Sequence, residues 1–204
     1  MEESHTQKTI EYYYKKNSYI KLLQSTKKYK EIYNSIEALI ATVLSLLTVV
    51  SFYYIYNNSD IGAFNEMIKG ILISVPIGLI GTLGFIVSGL AIISGTIGSK
   101  LVDQLINDKK IEALIGILFS FYFIGSIIGI AIVAYMFMYV FSFSGLIVTL
   151  ERLVVITLFL SYLFWFVISY LIGLLGTCLR MFLVNYKFSK ESELTEQQEI
   201  VDIN

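Results

Sequence analysis

Four long stretches of the chain carry no charged residue and no histidine: Ala38 to Ser59, Gly70 to Ser99, Ala113 to Leu150 and Leu153 to Leu179. Each exceeds the roughly 20 apolar residues that a helix needs to cross about 30 Å of hydrocarbon. A soluble amphipathic helix keeps a polar face at 3.6-residue spacing, and these blocks have no charged one. Strands of a membrane barrel alternate apolar and polar positions over about ten residues, whereas these runs are continuously apolar. Backbone groups in lipid must bond internally. The pattern therefore predicts an all-α polytopic membrane protein with four transmembrane helices, arranged as two helical hairpins. The first block begins after a long polar stretch and is too long for the apolar part of a signal peptide.

The predicted spans cover about 36–56, 71–98, 111–141 and 153–179. One helix over the whole third block would be about 57 Å long, too long for a bilayer. Ser142-Phe143-Ser144-Gly145 marks the expected break, with residues 146–150 at the outer surface or dipping back in. The second span is also long, and tilt with a kink at Pro76, the only proline, is expected to absorb the excess.

Charge fixes the expected orientation. Lys8, Lys15, Lys16, Lys21, Lys27, Lys28 and Lys30 precede the first span. Lys100, Lys109 and Lys110 separate the second from the third, and Arg180, Lys187 and Lys190 follow the fourth. Lys69 and Arg152 alone are left for the other side. Positive residues stay in the cytoplasm, so both termini are expected inside, in a cell membrane. Aromatic residues support the outer boundary: Phe52, Tyr53, Tyr54 and Tyr56 end the first span, and Tyr135, Phe137, Tyr139, Phe141 and Phe143 crowd the end of the third. These read as an interfacial belt.

Two local patterns bear on packing. Ile36-Glu37-Ala38-Leu39-Ile40 recurs as Ile111-Glu112-Ala113-Leu114-Ile115, with Ser45 and Ser120 in the same register, as in parallel repeats of a helix pair. The glutamates read as first-turn carboxylates favoured by the helix dipole, with Asn34, Ser35 and Asp108 as candidate caps, rather than as proton carriers. In the second span Ser74, Gly78, Gly81, Gly84, Ser88, Ala91, Gly95 and Gly98 follow at steps of three or four. Gly125 and Gly129 in the third span, and Gly173 and Gly176 in the fourth, add small patches. Lipid gives no hydrophobic drive for helix association, so small residues that let backbones approach supply the contact. The expected use is packing within one four-helix bundle, with Leu83 facing lipid; a face shared between subunits is the sharper alternative.

The soluble ends differ in sign. Residues 1–35 form a basic cytoplasmic segment read as an amphipathic helix, with Ile10, Tyr13, Ile20, Leu23, Tyr29, Ile32 and Ile36 on one stripe. Lys15, Lys16, Lys21, Lys27, Lys28 and Lys30 make its basic surface, suited to an anionic leaflet or to a cytosolic protein partner. Residues 36–184 are the transmembrane domain. Residues 185–204 are an acidic tail with Glu191, Glu193, Glu196, Glu199 and Asp202, expected to be flexible, or helical only when bound.

Composition narrows the chemistry. The chain has 204 residues, 56% of them hydrophobic and 15% charged, against about a quarter charged in soluble domains. Its richness in Ile, Lys, Asn and Tyr is that of a low-GC genome and points to a bacterium. Cys178 is the single cysteine, so neither an intramolecular disulfide nor a multi-cysteine metal site is expected. His5 is the single histidine, and no charged residue is expected at depth in the bilayer. No catalytic residue, cofactor site or metal site is expected, no nucleotide-binding loop is present, and nothing resembles a nucleic-acid reader. The sequence thus points to a non-enzymatic, self-assembling membrane sensor, channel or effector, for example the membrane component of a bacterial defence or immunity system. The expected partners are the lipid bilayer, further copies of the chain and a cytosolic protein. The alternative is the membrane subunit of a transporter driven by a separate ATPase.

Overall fold

The computed structural model describes residues 19–96, 111–143 and 150–203. These residues form a short helix α1 (Tyr19–Thr26), a 3-10 turn (Lys28–Ile32) and four long helices: α2 (Ile36–Asn58), α3 (Ile61–Thr96), α4 (Ile111–Ser142) and α5 (Leu150–Ile203). All four long helices contain stretches long and apolar enough to cross a membrane: 28–58, 61–93, 114–142 and 150–183, the first of which also takes in the 3-10 turn. The described residues are thus all-helical, with four helices that could span a membrane, as in a multi-pass membrane protein.

The termini of these helices follow from local chemistry. Ser35 caps α2, its Oγ accepting from the Ala38 N–H at 3.0 Å, and Glu37 lies in the same first turn. Asp60 starts α3 two residues after α2 ends: its Oδ2 accepts from the Gly62 N–H at 3.0 Å and its carbonyl from Phe64 N–H at 2.9 Å. α3 begins about ten residues before its apolar block because polar residues can continue a helix into water. There Lys69 pairs with Glu66 at 3.1 Å, three residues apart on the helix surface. Pro76 lies buried within α3, which continues past it. α4 stops at Ser142, whose Oγ donates to the Tyr139 carbonyl at 2.6 Å. The break after the third span therefore falls where the serine–glycine run predicts it. Residues 144–149, and with them the question of re-entry, lie outside the described residues, as do Asp108 and Gly98.

The helices form an open ring. α2 packs chiefly on α5, α5 on α4, and α4 on α3. α2 and α3 scarcely meet along their lengths; Phe64 joins them near their turn, edge-on to Phe52 and Tyr56 at 6.5 and 5.4 Å between ring centroids. The expected first hairpin is thus open: a two-residue turn constrains the helix ends, but the side chains that fit best are on α5. α4 supplies the centre of the core, with Phe119, Phe121, Phe123, Ile124, Ile128 and Ala131 all buried. Tyr135 belongs to this core rather than to the interfacial belt, because its hydroxyl finds a buried acceptor in the Leu160 carbonyl at 3.1 Å. Phe137, Phe141 and Phe143 are exposed, as a belt requires.

Both soluble ends differ from expectation. The stripe over residues 1–35 is not one helix where it is described. Lys27 adopts φ 54, in the left-handed region, and divides α1 from the 3-10 turn. Ile20 and Ile36 are exposed while Leu23 packs on the core. Residues 1–18, including Lys15 and Lys16, lie outside the described residues. At the other end the acidic tail is helical and continuous with the last span, α5 running unbroken through 54 residues. It contains no proline or glycine beyond Gly176 to interrupt it.

Candidate functional site

The eight small residues predicted for α3 are best understood from the register of that helix. Leu72, Pro76, Leu79, Leu83, Ile86, Leu90 and Ile93 follow at alternating steps of four and three, and all are buried or packed on the core. This is the seam of a left-handed helix pair, and it faces α4. Leu83 belongs to it, Cδ2 lying 3.9 Å from where a Cβ on Gly125 would stand, so it does not face lipid. The small residues occupy the opposite side. Ser74, Gly78, Gly81, Gly84, Ser88, Ala91 and Gly95 are all exposed. A Cβ built on Gly78, Gly81, Gly84 or Gly95 meets nothing within 4 Å. The expectation that this face packs inside a four-helix bundle is therefore corrected. Large side chains fill the space between α3 and α4, which turns the small ones outward. On this face the Ser88 hydroxyl is satisfied within the helix, its Oγ donating to the Gly84 carbonyl at 2.9 Å.

The other predicted glycines divide. Gly125 touches α3, and Gly173 stands 3.1 Å (from its built Cβ) from Glu37 Oε1. Gly129 and Gly176 meet nothing within 4 Å. A comparably close approach is made by Gly89, which sequence reasoning missed: a Cβ there would stand 3.2 Å from the Phe121 ring. It sits beside the buried seam, and only knowledge of that seam singles it out.

A second feature was not foreseen. The polar segment before α2 folds back against α4 and α5 and forms a cleft of about 540 Å³. Lys28 Nζ pairs with Glu31 Oε1 at 2.7 Å. Glu31 Oε2 accepts from the Tyr170 hydroxyl at 3.0 Å, and the Tyr162 hydroxyl donates to the Ile32 carbonyl. Glu37, Ser120 and Thr177 share the lining. Tyr170 lies ten residues, about 15 Å, before Arg180, and Ser120 lies eight, about 12 Å, after Glu112. The charged side chains of Lys28, Glu31 and Glu37 thus meet the charge-free stretches of α4 and α5. The sequence signal was in α5: a mid-span tyrosine must find a partner for its hydroxyl, and none is available in lipid. Of the predicted basic surface, Lys28 is tied into this cleft, Lys27 and Lys30 are exposed, and Lys21 lies on α1.

Chemically the cleft can hold water or a charged headgroup. Among the described residues no three His, Cys, Asp or Glu side chains come together as metal ligands. The cleft offers hydroxyls, a lysine and carboxylates but no histidine or thiol. No protein-family model, curated protein or solved structure matches the chain.

Proposed function

We propose that the chain is a non-enzymatic membrane protein, with both termini in the cytoplasm, that works as a homo-oligomer and acts as a membrane sensor, channel or effector. The observation that carries this reading is the open small-residue face of α3. Ser74, Gly81, Ser88 and Gly95 recur every seven residues along it, the spacing that lets two helices stay in contact over many turns. In lipid such a face gains nothing by exposure and gains dispersion contact by meeting another backbone. A two-fold pair is the smallest closed assembly, because each copy presents the same patch to the other.

Orientation rests on the lysines and arginines, thirteen of fifteen falling on one side of the four spans. The helical acidic extension of α5 and the basic segment before α2 supply the cytoplasmic surface for a protein partner, in a salt-sensitive contact. An uncharged small-residue seam between copies is also a path that can gate by dewetting.

The test is cross-linking in native membranes. In a Cys178→Ser background, Ser88→Cys is expected to give a disulfide-linked dimer under mild oxidation, whereas Val155→Cys, exposed on α5, gives none. A monomer from both positions sinks the assembly. Reporter fusions at Asn204 and Asp60 check orientation, with only the second expected outside.

A further inference from the structure

A cavity of about 190 Å³ lies inside the ring, in the half nearest the α2–α3 turn. All four long helices contribute to its wall, including Phe52 from α2, Val75 from α3, Tyr135 and Met138 from α4, and Phe164 and Trp165 from α5. We infer that this cavity is a binding site for a small aromatic molecule that enters from the lipid between α2 and α3. The inference does not rest on assembly.

Three observations lead there. The first is size. Cavities of about 150 Å³ with apolar walls stay dry and take up benzene, so 190 Å³ suits one or two fused rings and is too small for a whole acyl chain. The second is hydrogen-bond accounting. The Tyr135 hydroxyl donates to the Leu160 carbonyl, Ser161 Oγ to the Thr157 carbonyl, and Thr48 Oγ1 to the Leu44 carbonyl. The Trp165 indole N–H donates to Thr48 Oγ1 at 3.0 Å. Four of the wall's five side-chain polar hydrogens, all but that of Thr157, are thus already committed, which favours a guest that needs few partners. The third is the wall itself. Rings from three helices and the Met138 thioether offer edges and a soft sulfur, and both pack well against an aromatic guest. Entry follows from the open side of the ring, since α2 and α3 hardly touch beyond their turn.

Trp165 is the only tryptophan, so its fluorescence reports the cavity directly. The experiment titrates iodobenzene, a heavy-atom quencher, into the full chain in phosphatidylcholine nanodiscs. The wild type is expected to quench with a saturating component. Val75→Phe and Ile156→Phe each fill the cavity from a different helix and are expected to lower the initial quenching at least threefold. Either one suffices if the other does not fold. Val155→Phe, on the exposed side of α5, is expected to quench like the wild type. Linear quenching of equal slope in all the folded proteins overturns the site, because it reports only partition into lipid. Equal saturation by 1-iodohexane overturns the aromatic assignment.

Discussion

α2 and α3 stand on either side of the ring's opening and use their small residues in opposite ways. α2 buries Ala38, Ala41 and Ser45, each at most 2% exposed, against α5 and turns Val43, Leu46, Leu47 and Val50 outward. α3 buries Leu72, Leu79, Ile86 and Ile93 against α4 and turns its glycines and serines outward. The difference teaches that in lipid a small-residue face is a contact face wherever it finds a partner. On α2 the partner is in the same chain. Polar side chains lock that contact, Trp165 to Thr48 and Tyr170 and Tyr162 to the segment before α2. On α3 the small-residue face is present and meets no partner among the described residues.

The sharpest way to break the comparison is a matched pair of leucines. Ala41→Leu forces a larger side chain into a site with no exposure, at a cost of up to about 3 kcal/mol. It is expected to lower the yield of monodisperse protein at least fivefold in size-exclusion chromatography. Gly84→Leu should leave that yield near normal and weaken the oligomer about tenfold in native mass spectrometry. Similar damage to folding from both would mean that the two faces do not differ.

Next in size is the large-residue seam of α3. Leu79→Ala leaves a gap against α4 and is expected to cost about 2 kcal/mol, read as a lower unfolding midpoint in denaturant. Ile80→Ala, its exposed neighbour, should change the midpoint by less than about 0.5 kcal/mol. A reversed order would place the seam on the wrong side.

The polar locks of α2 come next. Thr48→Val removes the acceptor of the indole N–H and is expected to cost about 1 kcal/mol, measured in the same unfolding assay. Wild-type stability for this variant would remove the lock from the comparison.

Smallest is Tyr170→Phe. Loss of its hydrogen bond to Glu31 should free residues 28–35 locally, raising their hydrogen exchange about fivefold, equivalent to about 1 kcal/mol. Unchanged exchange would show that Tyr162 alone holds the segment.

Much of the fold was legible in the sequence. Charge-free blocks gave four helices, and the start at Ile36 coincides with the observed one. Ser35 was legible as a cap because capping needs only a side-chain oxygen three residues ahead of a free N–H. The facing of each helix was not. In water one polar face marks the outside; in lipid both sides are apolar, so the small face of α3 could equally have pointed in. Nor was the cleft legible, because Lys28 and Glu31 read as residues of the water phase. What brings them inward is the hydroxyl of Tyr170 together with their own pairing, and that requires knowing which helices are neighbours. Ser45 and Ser120, equivalent in the short sequence repeat, are both buried, yet α2 and α4 have different neighbours, so a shared motif does not dictate a shared environment.

The unbroken course of α5 has a mechanical consequence. Twenty residues follow Leu183 in the same helix, about 30 Å at 1.5 Å per residue. A stiff rod of that length is a lever arm. If α5 changes its tilt by about 10°, the far end sweeps roughly 5 Å sideways, about one helical pitch. A small rearrangement around Trp165 or Tyr170 is thereby enlarged at the acidic end of the chain without any hinge.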